Sequence, residues 1–333
     1  MRSNRLIISL AILGLSSCGN DIDLTILAEP VPIVYGIICP QDSVHEISLK
    51  RSFICEDNLL QYTSNPDSNY FYDARVFLET RAARGEILQR IEMKRHEKPP
   101  KETGTFVSSP NYVYRCSSSD LIYPELEVYD IMYTLTIDIP GHKEAIFAES
   151  IIPSLPDIRK PKPGDRPYKL DLYSNNPHMF VWYESLEFYI EFETRINYLQ
   201  KRNGEWEETS VSHRRQYNHG DKLSRKVEIL IDDEWFYPML AGKIKDDPEI
   251  SSRKFKSIDF ILKTSDASFY DYLSYEHYVT DLSTNIYTNI VNGLGIFIAN
   301  NKIEWIGYTL NEGSMNQLSY GKYTKHLNFL RWD

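Results

Sequence analysis

The sequence has no apolar run long enough to cross a bilayer. The longest, residues 6–15, is about ten residues, roughly half of what a membrane-spanning helix needs. Arg2 and Arg5 lead into this run and small residues follow it, which is the layout of a secretory signal rather than of a membrane span. We therefore expect the exported chain to be soluble apart from any lipid that anchors it.

The chain also lacks an excess of basic charge. It has 37 Lys and Arg against 47 Asp and Glu, a formal net charge of −10. Without residues 1–17, which hold Arg2 and Arg5, the balance is 35 against 47, or −12. A surface of this sign repels phosphate backbones, so the composition argues against nucleic acid as a partner. No polybasic segment is present that would attach the protein to a membrane by charge alone.

Local catalytic motifs are missing as well. The sequence contains no Gly-Xaa-Ser-Xaa-Gly elbow, no phosphate-binding loop, no dinucleotide glycine fingerprint and no His-Glu-Xaa-Xaa-His. Their absence weakens an enzymatic interpretation. We predict a protein that is not an enzyme and that binds no cofactor or metal.

Of only four cysteines, Cys18 is the most informative. It closes the run Leu15-Ser16-Ser17-Cys18 directly after the apolar stretch, which is typical of a bacterial lipoprotein signal. We predict that residues 1–17 are removed, that Cys18 carries a thioether-linked lipid with palmitate-like acyl chains, and that residues 18–30 form a tether. Several acyl chains hold a protein on a membrane far better than one does. The alternative is an ordinary signal peptide followed by a coincidental cysteine.

The remaining cysteines, Cys39, Cys55 and Cys116, allow at most one intramolecular disulfide. Cys39 and Cys55 are the favoured pair, because a hairpin could bring them together. That pairing is the possible disulfide, and three buried thiols are the interpretation that we favour slightly, since a chain of this length can form a sufficient core without covalent links.

Alternation of apolar and polar residues is the dominant pattern. It is longest over residues 186–196, and residues 47–50, 133–139 and 258–262 repeat it on a shorter scale. Such period-two runs predict strands with one buried and one solvated face. Aromatic residues make up 13% of the chain, with 24 Tyr, and favour the same structure. We predict a mostly all-β protein built from antiparallel strands.

The length suggests two domains, and prolines mark where they meet. Residues 152–156 and then residues 160–164 form a stiff, polar, proline-rich connector. We predict an immunoglobulin-like β-sandwich over residues 31–155 and a larger β domain over residues 165–333. One short helix is expected in the second domain, beginning near Ser265 and ending by residues 280–283.

Several polar groups have the composition of a site. They comprise a histidine pair for zinc, two acidic clusters for calcium and a row of carboxylates for glycoside hydrolysis. These groups are His213 and His219; Asp232, Asp233 and Glu234; Asp246, Asp247 and Glu249; and Glu187, Glu191 and Glu193. Solvated turns and strand faces are the simpler interpretation, and we assign no catalytic or metal-binding residue.

Aromatic side chains offer another kind of site. The five tryptophans and the many tyrosines could form stacking platforms for sugars or peptides, although most aromatics of a β protein belong to cores and cross-strand pairs. The tryptophans are Trp182, Trp206, Trp235, Trp305 and Trp332.

The segment 287–297 is the second distinctive feature. Asn292-Gly293 is a strong turn signal, because both residues tolerate positive φ. Gly295 allows close approach of a neighbouring backbone in the strand that follows. We interpret Asn289, Asn292, Gly293 and Gly295 as a structural turn motif, with a binding loop as the alternative.

With this motif the chain resembles a known family. Residues 289–297 are similar to the "N-I-x-N-G-L-G-x-F" signature of the Bacteroidetes lipoproteins grouped as domain of unknown function 4249, and residues 34–37, 73–76 and 133–137 match more loosely. Cys39, Cys55 and Cys116 depart from the family. Its members are predicted outer-membrane lipoproteins, often encoded beside TonB-dependent channels, and no catalytic residues of the family are established.

The resemblance implies an accessory or ligand-binding subunit of a TonB-dependent uptake system, anchored by lipid in the outer membrane. A surface adhesin or envelope structural protein is the first alternative, since the same β architecture suits it. A hydrolase using the strand carboxylates is the second alternative, because fold alone does not determine function.

Overall fold

A computed structural model describes residues 30–52, 65–82, 85–101, 108–120, 131–162, 164–166, 168–173, 178–183, 189–217, 226–278 and 287–331. The predicted lipidation site Cys18 and the signal segment 1–17 lie outside these residues, as does Cys55. The described part of the chain is mostly β structure, so the predicted all-β class is confirmed. Its strands are β1 Pro32–Ile38, β2 Val44–Arg51, β3 Arg75–Ala82, β4 Ile87–Lys98, β5 Asn111–Ser117, β6 Ile131–Asp138, β7 Ile146–Ile151, β8 Asp157–Lys160, β9 Lys169–Leu170, β10 His178–Tyr183, β11 Tyr189–Arg202, β12 Glu205–Tyr217, β13 Lys226–Ile231, β14 Ile250–Ser265 and β15 Leu294–Leu310.

The strands form one large sheet and one small sheet. The large sheet has the order β12-β11-β14-β15-β1-β2-β5-β4-β3-β6-β7, with β9 added beside β15, and the small sheet has the order β13-β10-β8. Neighbours are antiparallel except that β15 runs parallel to both β1 and β9. A strand near the start of the chain thus pairs with a strand near its end, separated by about 260 residues of sequence.

Strands β2, β4 and β15 each pair with one neighbour over part of their length and with another neighbour over the rest. In β4, residues 87–93 pair with β3 and residues 94–98 pair with β5. In β15, residues 294–299 pair with β1 and residues 300–308 pair with β14. The strands β1 to β7 therefore fold over one core, and β10 to β15 surround another.

The first core lies among β1 to β7 and also takes in side chains from residues 290–299. Leu78, Tyr133 and Leu135 are fully buried there, and Phe297 of β15 packs with them. Residues 152–156 then lead from β7 to β8, which pairs with β10. Because β15 places Phe297 in one core and Trp305 in the other, this strand joins the two halves of the fold.

The second core is rich in aromatic rings. The Phe180 centroid lies 4.9 Å from that of Phe192 and 4.7 Å from that of Phe260, in tilted or edge-on arrangements. Such pairs contribute roughly 0.5–1.5 kcal/mol each beyond the area that they bury. Trp182 and Trp305 are buried in the same cluster, so they are core residues and not stacking platforms.

The described residues include four α-helices, whereas the sequence predicted one. The predicted helix is the third, and Asp266 caps it by accepting a hydrogen bond from Ser268 N at 2.9 Å. None of the four is long and apolar enough to cross a membrane. They are α1 Pro66–Asn69, α2 Asp233–Lys243, α3 Ala267–Tyr278 and α4 Glu312–Tyr320.

Candidate functional site

A cleft opens in the second half of the fold, between the start of α2 and the end of α4. Its volume is about 760 Å³, which lies within the roughly 300–1,000 Å³ of typical ligand sites. We name it the tyrosine cleft. Its lining residues are Tyr173, Asp233, Glu234, Tyr237, Gln317, Tyr320, Gly321, Lys322, Tyr323 and Thr324.

The first wall of the cleft is the N-terminal turn of α2. Asp232 caps this helix, because its Oδ1 accepts a hydrogen bond from Trp235 N at 2.9 Å. Asp233 and Glu234 follow in the first turn, where the helix dipole stabilises negative charge. The backbone N of Asp233 donates to Leu172 O at 3.1 Å and so ties the helix to the turn that carries Tyr173.

The opposite wall is the C-terminal turn of α4. Gly321 N donates to Gln317 O at 2.8 Å, and Thr324 Oγ1 donates to the same oxygen at 3.1 Å. A Cβ at position 321 would lie only 2.3 Å from Gln317 O, so this close turn requires glycine. It places Tyr320 and Tyr323 on either side of the bend.

Ser314 of α4 links the parts that form the cleft. Its side chain is fully buried and accepts a hydrogen bond from Leu172 N at 2.9 Å. Its carbonyl oxygen accepts a hydrogen bond from Tyr237 Oη of α2 at 2.8 Å. Burial raises the pKa of Tyr237, so this phenol stays protonated and remains a donor. One residue thus holds the turn before Tyr173, α2 and α4 together.

Three tyrosine rings of the cleft are open to solvent. Tyr173 is 60% exposed, Tyr320 is 69% exposed and Tyr323 is 41% exposed. The Lys322 ammonium lies 4.5 Å from the centroid of the Tyr323 ring. Apolar ring faces, carboxylates, hydroxyls and one ammonium therefore converge on one cavity, which is the composition of a small-molecule site.

We expect Ser314→Ala to destabilise the protein by about 1–3 kcal/mol, because the buried Leu172 N loses its acceptor. Ser319→Ala is the matched control on the same helix, since Ser319 Oγ is buried and has no hydrogen-bond partner among the described residues. Denaturant unfolding of the two purified variants measures the difference. Equal midpoints for both would contradict the role given to Ser314.

The strand carboxylates considered for hydrolysis lie in a network of cations. Glu193 is fully buried on β11 and accepts hydrogen bonds from Arg195 Nε at 3.0 Å and Ser212 Oγ at 2.8 Å. Lys263 Nζ lies 3.3 Å away, and Arg214 Nε lies 3.2 Å away. Burial raises the pKa of Glu193, but these donors and charges outweigh it and lower the pKa to about 2.

A general acid needs a raised pKa to hold its proton at neutral pH. Glu193 has the opposite shift, and its neighbour Glu191 lies 3.7 Å from both Arg214 and Lys263. The cations around Glu193 therefore argue against this residue as the general acid of a glycosidase. Glu187 lies outside the described residues.

The acidic clusters considered for calcium have other partners. Arg202 donates to Asp247 Oδ2 at 2.8 Å and also pairs with Glu249 and with Glu207. The backbone N of Glu249 and this arginine lower the pKa of Asp247. The other cluster, residues 232–234, supplies the cap and first turn of α2. Within the described ranges, no three His, Cys, Asp or Glu side chains are placed to hold a metal ion.

Of the two histidines considered for zinc, only His213 is described, and it contacts an aromatic ring and an arginine. His213 packs edge-on against Trp235, with ring centroids 5.4 Å apart, and the Arg215 guanidinium lies 4.5 Å from the same ring. Burial lowers the pKa of His213, and the positive charges of Arg215 and Lys243 lower it further. His219 lies outside the described residues.

Of the remaining tryptophans and cysteines, Trp206, Cys39 and Cys116 lie among the described residues. Trp206 is half-exposed near the tip of the β11–β12 hairpin, and Trp332 is not among the described residues. Cys39 and Cys116 are both buried. The Cys39 thiol donates to Gln41 Oε1 at 3.0 Å, and burial raises its pKa to about 11, which makes it a poor nucleophile. The Cys39–Cys55 pairing stays a prediction, because Cys55 is not described.

The motif at residues 289–297 connects the two ends of the first core. The Asn289 amide pairs with the backbone of Phe297, accepting from its N at 2.9 Å and donating to its O at 2.6 Å. Val291 exchanges two backbone hydrogen bonds with Phe147 of β7, at 2.8 and 3.2 Å. Residues 294–299 of β15 also pair with β1. The segment 289–297 therefore contacts both β1 and β7, and β7 is the last strand in the order of the large sheet.

Asn292, Gly293 and Gly295 allow the backbone of this segment to reach both strands. Asn292 has a φ of +60°, and its Nδ2 donates to Ala145 O at 3.0 Å. Gly295 has a φ of +104°, and a Cβ there would lie 1.9 Å from Val34 O. At Gly293 a Cβ would lie 2.9 Å from Ile290 Cγ2 and 3.0 Å from Pro32 O. The motif thus serves the contact between β1 and β15.

Sequence reasoning missed the tyrosine cleft, because three separate segments form it. The sequence did contain signals for the two helices that line the cleft, because Asp232 and Asn311 are residues that commonly cap helices. Each accepts a hydrogen bond from a backbone N at the start of its helix. Pro238, which lies inside α2, argues against a helix when the sequence is read alone.

Comparison with known proteins places the chain in a family. A family model described as domain of unknown function (DUF4249) matches residues 20–304. The chain belongs to this family. The resemblance to domain of unknown function 4249 that was drawn from residues 289–297 is therefore confirmed. The match includes Tyr173 and the α2 wall of the tyrosine cleft, whereas Tyr320 and Tyr323 lie beyond its last residue.

No curated protein matches the chain. A crystal structure of a DUF4785 family protein from Legionella pneumophila subsp. pneumophila str. Philadelphia 1 is 14% identical, over 70% of this chain and 52% of that one, with a TM-score of 0.22. This chain spans about half the length of the Legionella protein, and the TM-score is too low to relate the two folds.

Proposed function

We propose that this DUF4249 protein is a non-enzymatic lipoprotein of the bacterial outer membrane that binds a ligand for a TonB-dependent uptake channel. The observation that carries the binding role is the tyrosine cleft, which combines a ligand-sized cavity with three exposed aromatic rings and two carboxylates. The lipoprotein signal at Cys18 supports the anchor, and the resemblance of the chain to channel-associated lipoproteins supports the link to uptake.

The hydrogen bonds between the walls of the cleft also favour binding. Hydrogen bonds through Ser314 hold the Tyr173 turn and both helices before a ligand arrives. A site that is already ordered loses less conformational entropy on binding, and that raises affinity. The cleft is therefore suited to capturing a ligand and presenting it to a channel.

The experiment that tests this function is affinity purification of the tagged, lipidated protein from solubilised outer membranes, followed by mass spectrometry. We expect a TonB-dependent channel in stoichiometric amount. Recovery of the lipoprotein alone, with surface label reaching it on intact cells, would contradict the accessory role and favour an adhesin. A tagged lipoprotein of unrelated sequence, expressed at the same level, controls for adventitious capture.

We expect Cys18→Ser to move the protein from the membrane fraction to the soluble fraction, because the acyl chains have no other attachment point. Fractionation of cells with immunoblotting, together with incorporation of labelled palmitate, measures the change. Cys39→Ser is the matched control, since its buried thiol should leave both lipidation and location unchanged. Persistence of the Cys18→Ser protein in the membrane after a carbonate wash would contradict the lipid anchor.

A further inference from the structure

We infer that the tyrosine cleft takes a neutral, polyhydroxylated ligand, an oligosaccharide, that stacks on its exposed tyrosine rings and hydrogen-bonds to Asp233 and Glu234. This inference rests on the proposed function and specifies the ligand class of the same site. It follows from the charge, the aromatic surface and the secondary structure of the cleft walls.

The charges in the cleft disfavour ligands of either sign. Asp233 and Glu234 bring two negative charges to the wall formed by α2, and these repel a phosphate or carboxylate ligand. A cationic ligand meets Lys322, whose ammonium already lies 4.5 Å from the centroid of the Tyr323 ring. A neutral ligand avoids both repulsions.

The hydrogen-bonding groups of the cleft match hydroxyls. Carboxylates only accept hydrogen bonds and an ammonium only donates them, whereas phenols do both. A sugar hydroxyl also does both, so each one can satisfy either kind of partner in this mixed lining. Vicinal hydroxyls suit the two oxygens of one carboxylate, because both oxygens can accept at once.

The exposed rings supply the apolar part of the binding surface. Tyr173 and Tyr320 leave well over half of their surface open to solvent, although tyrosine is an amphipathic residue with a large apolar body. Contact with the C–H groups on one face of a sugar ring would remove that apolar area from water. A tyrosine is also rigid, so little conformational entropy is lost on contact.

The secondary structure of the walls disfavours an extended peptide. Peptides commonly bind by adding a strand to a free sheet edge. The lining residues lie instead in α2, in α4 and in the turns around them, and none lies in a described strand. Main-chain pairing along an edge is therefore not available within the cleft.

The test is calorimetric titration of the full-length lipidated protein in a detergent without a sugar head group. The probes are maltotetraose, cellotetraose, xylotetraose and mannotetraose, with spermidine and inorganic phosphate as charged comparators. We expect at least one tetrasaccharide to bind, with an affinity that barely changes between ~0.05 and ~0.5 M NaCl. Neither charged probe should bind.

Tyr320→Ala should weaken the binding of that tetrasaccharide by roughly tenfold or more. Because Tyr320 is 69% exposed, the variant should keep the thermal midpoint of the parent. Tyr35→Ala is the matched control, since Tyr35 lies on β1 outside the cleft and is 46% exposed. Equal affinity of the two variants would overturn the placement of the ligand.

Binding of spermidine with strong salt dependence, or binding of none of the four tetrasaccharides, would overturn the ligand class. The proposed function fails differently. If the channel co-purifies but no tetrasaccharide binds, only the ligand class is wrong. If a tetrasaccharide binds but no channel co-purifies, the ligand class stands and the accessory role is wrong.

Discussion

Gly295→Ala is expected to remove most or all of the folding free energy of this protein. The φ of +104° is strained for alanine, and the added Cβ would lie 1.9 Å from Val34 O and 2.9 Å from Val34 C. Strain at positive φ alone costs about 1–3 kcal/mol. The overlap adds several kcal/mol more unless the strands separate, against a total stability of roughly 5–15 kcal/mol for a typical protein.

Separation of these strands is itself costly. Val34 is paired with Gly295 in the parallel ladder that joins β1 to β15, and both strands pack Val34 and Phe297 into the first core. A shift large enough to admit a methyl group would break this pairing. We expect little soluble protein, and any that is recovered should melt many degrees below the parent in circular dichroism.

Gly204→Ala is the matched control for this prediction. Gly204 also has a positive φ, of +90°, but nothing lies within 4 Å of a Cβ at that position in the β11–β12 hairpin. Its substitution should cost only the conformational strain, about 1–3 kcal/mol. If both variants melt together, the close approach of β1 and β15 is not what makes Gly295 necessary.

The importance of Gly295 follows from the topology rather than from its local turn. Asn292-Gly293 predicted a turn, and the backbone of Asn292 adopts positive φ there. The local pattern contains no information about the partner, because β1 lies about 260 residues away in the sequence. A glycine next to a turn signal predicts that some backbone comes close, without predicting which one.

Strand positions were predictable because alternation reports directly which face of a strand is buried. Ile190, Phe192 and Ile196 alternate with charged residues, and all three lie in the second core. The order of the strands was not predictable in this way. Residues 87–93 and 94–98 of β4 pair with different strands, and nothing in the sequence of β4 marks the change of partner.

The candidate site was predictable only in parts. Tyr173, Asp233 and Tyr320 belong to three segments that meet through buried hydrogen bonds to Ser314. A serine inside a helix has no sequence feature that predicts such a role. The acidic cluster at residues 232–234 was visible, but its function as a helix cap depended on recognising α2 despite Pro238.

The stability of the protein should depend on Glu193 at neutral pH and lose that dependence in acid. The pKa of Glu193 is lowered from 4.5 to about 2 in the folded state. A carboxylate with a depressed folded pKa stabilises the fold above its unfolded pKa, and this contribution disappears as the pH falls toward the folded pKa. The expected contribution at pH 7 is about 3 kcal/mol.

Glu193→Gln should therefore be less stable than the parent by about 3 kcal/mol at pH 7, because Arg195, Arg214 and Lys263 lose their shared counter-charge. The two stabilities should converge between pH 4.5 and pH 2, as the parent carboxylate becomes protonated. Denaturant titrations of both proteins across this range measure the difference directly. Comparison of the two proteins cancels the other carboxylates that titrate in the same window.

Glu208→Gln is the matched control for Glu193→Gln. Glu208 lies on the neighbouring strand β12 and pairs with Lys256 Nζ at 2.7 Å, but its side chain is exposed. An exposed ion pair contributes less than about 1 kcal/mol, so this variant should stay close to the parent at every pH. A Glu193→Gln deficit that persists unchanged at pH 2 would mean that hydrogen-bond geometry, and not charge, stabilises this part of the sheet. Convergence would show instead that one buried carboxylate holds three cations of β11, β12 and β14 in place.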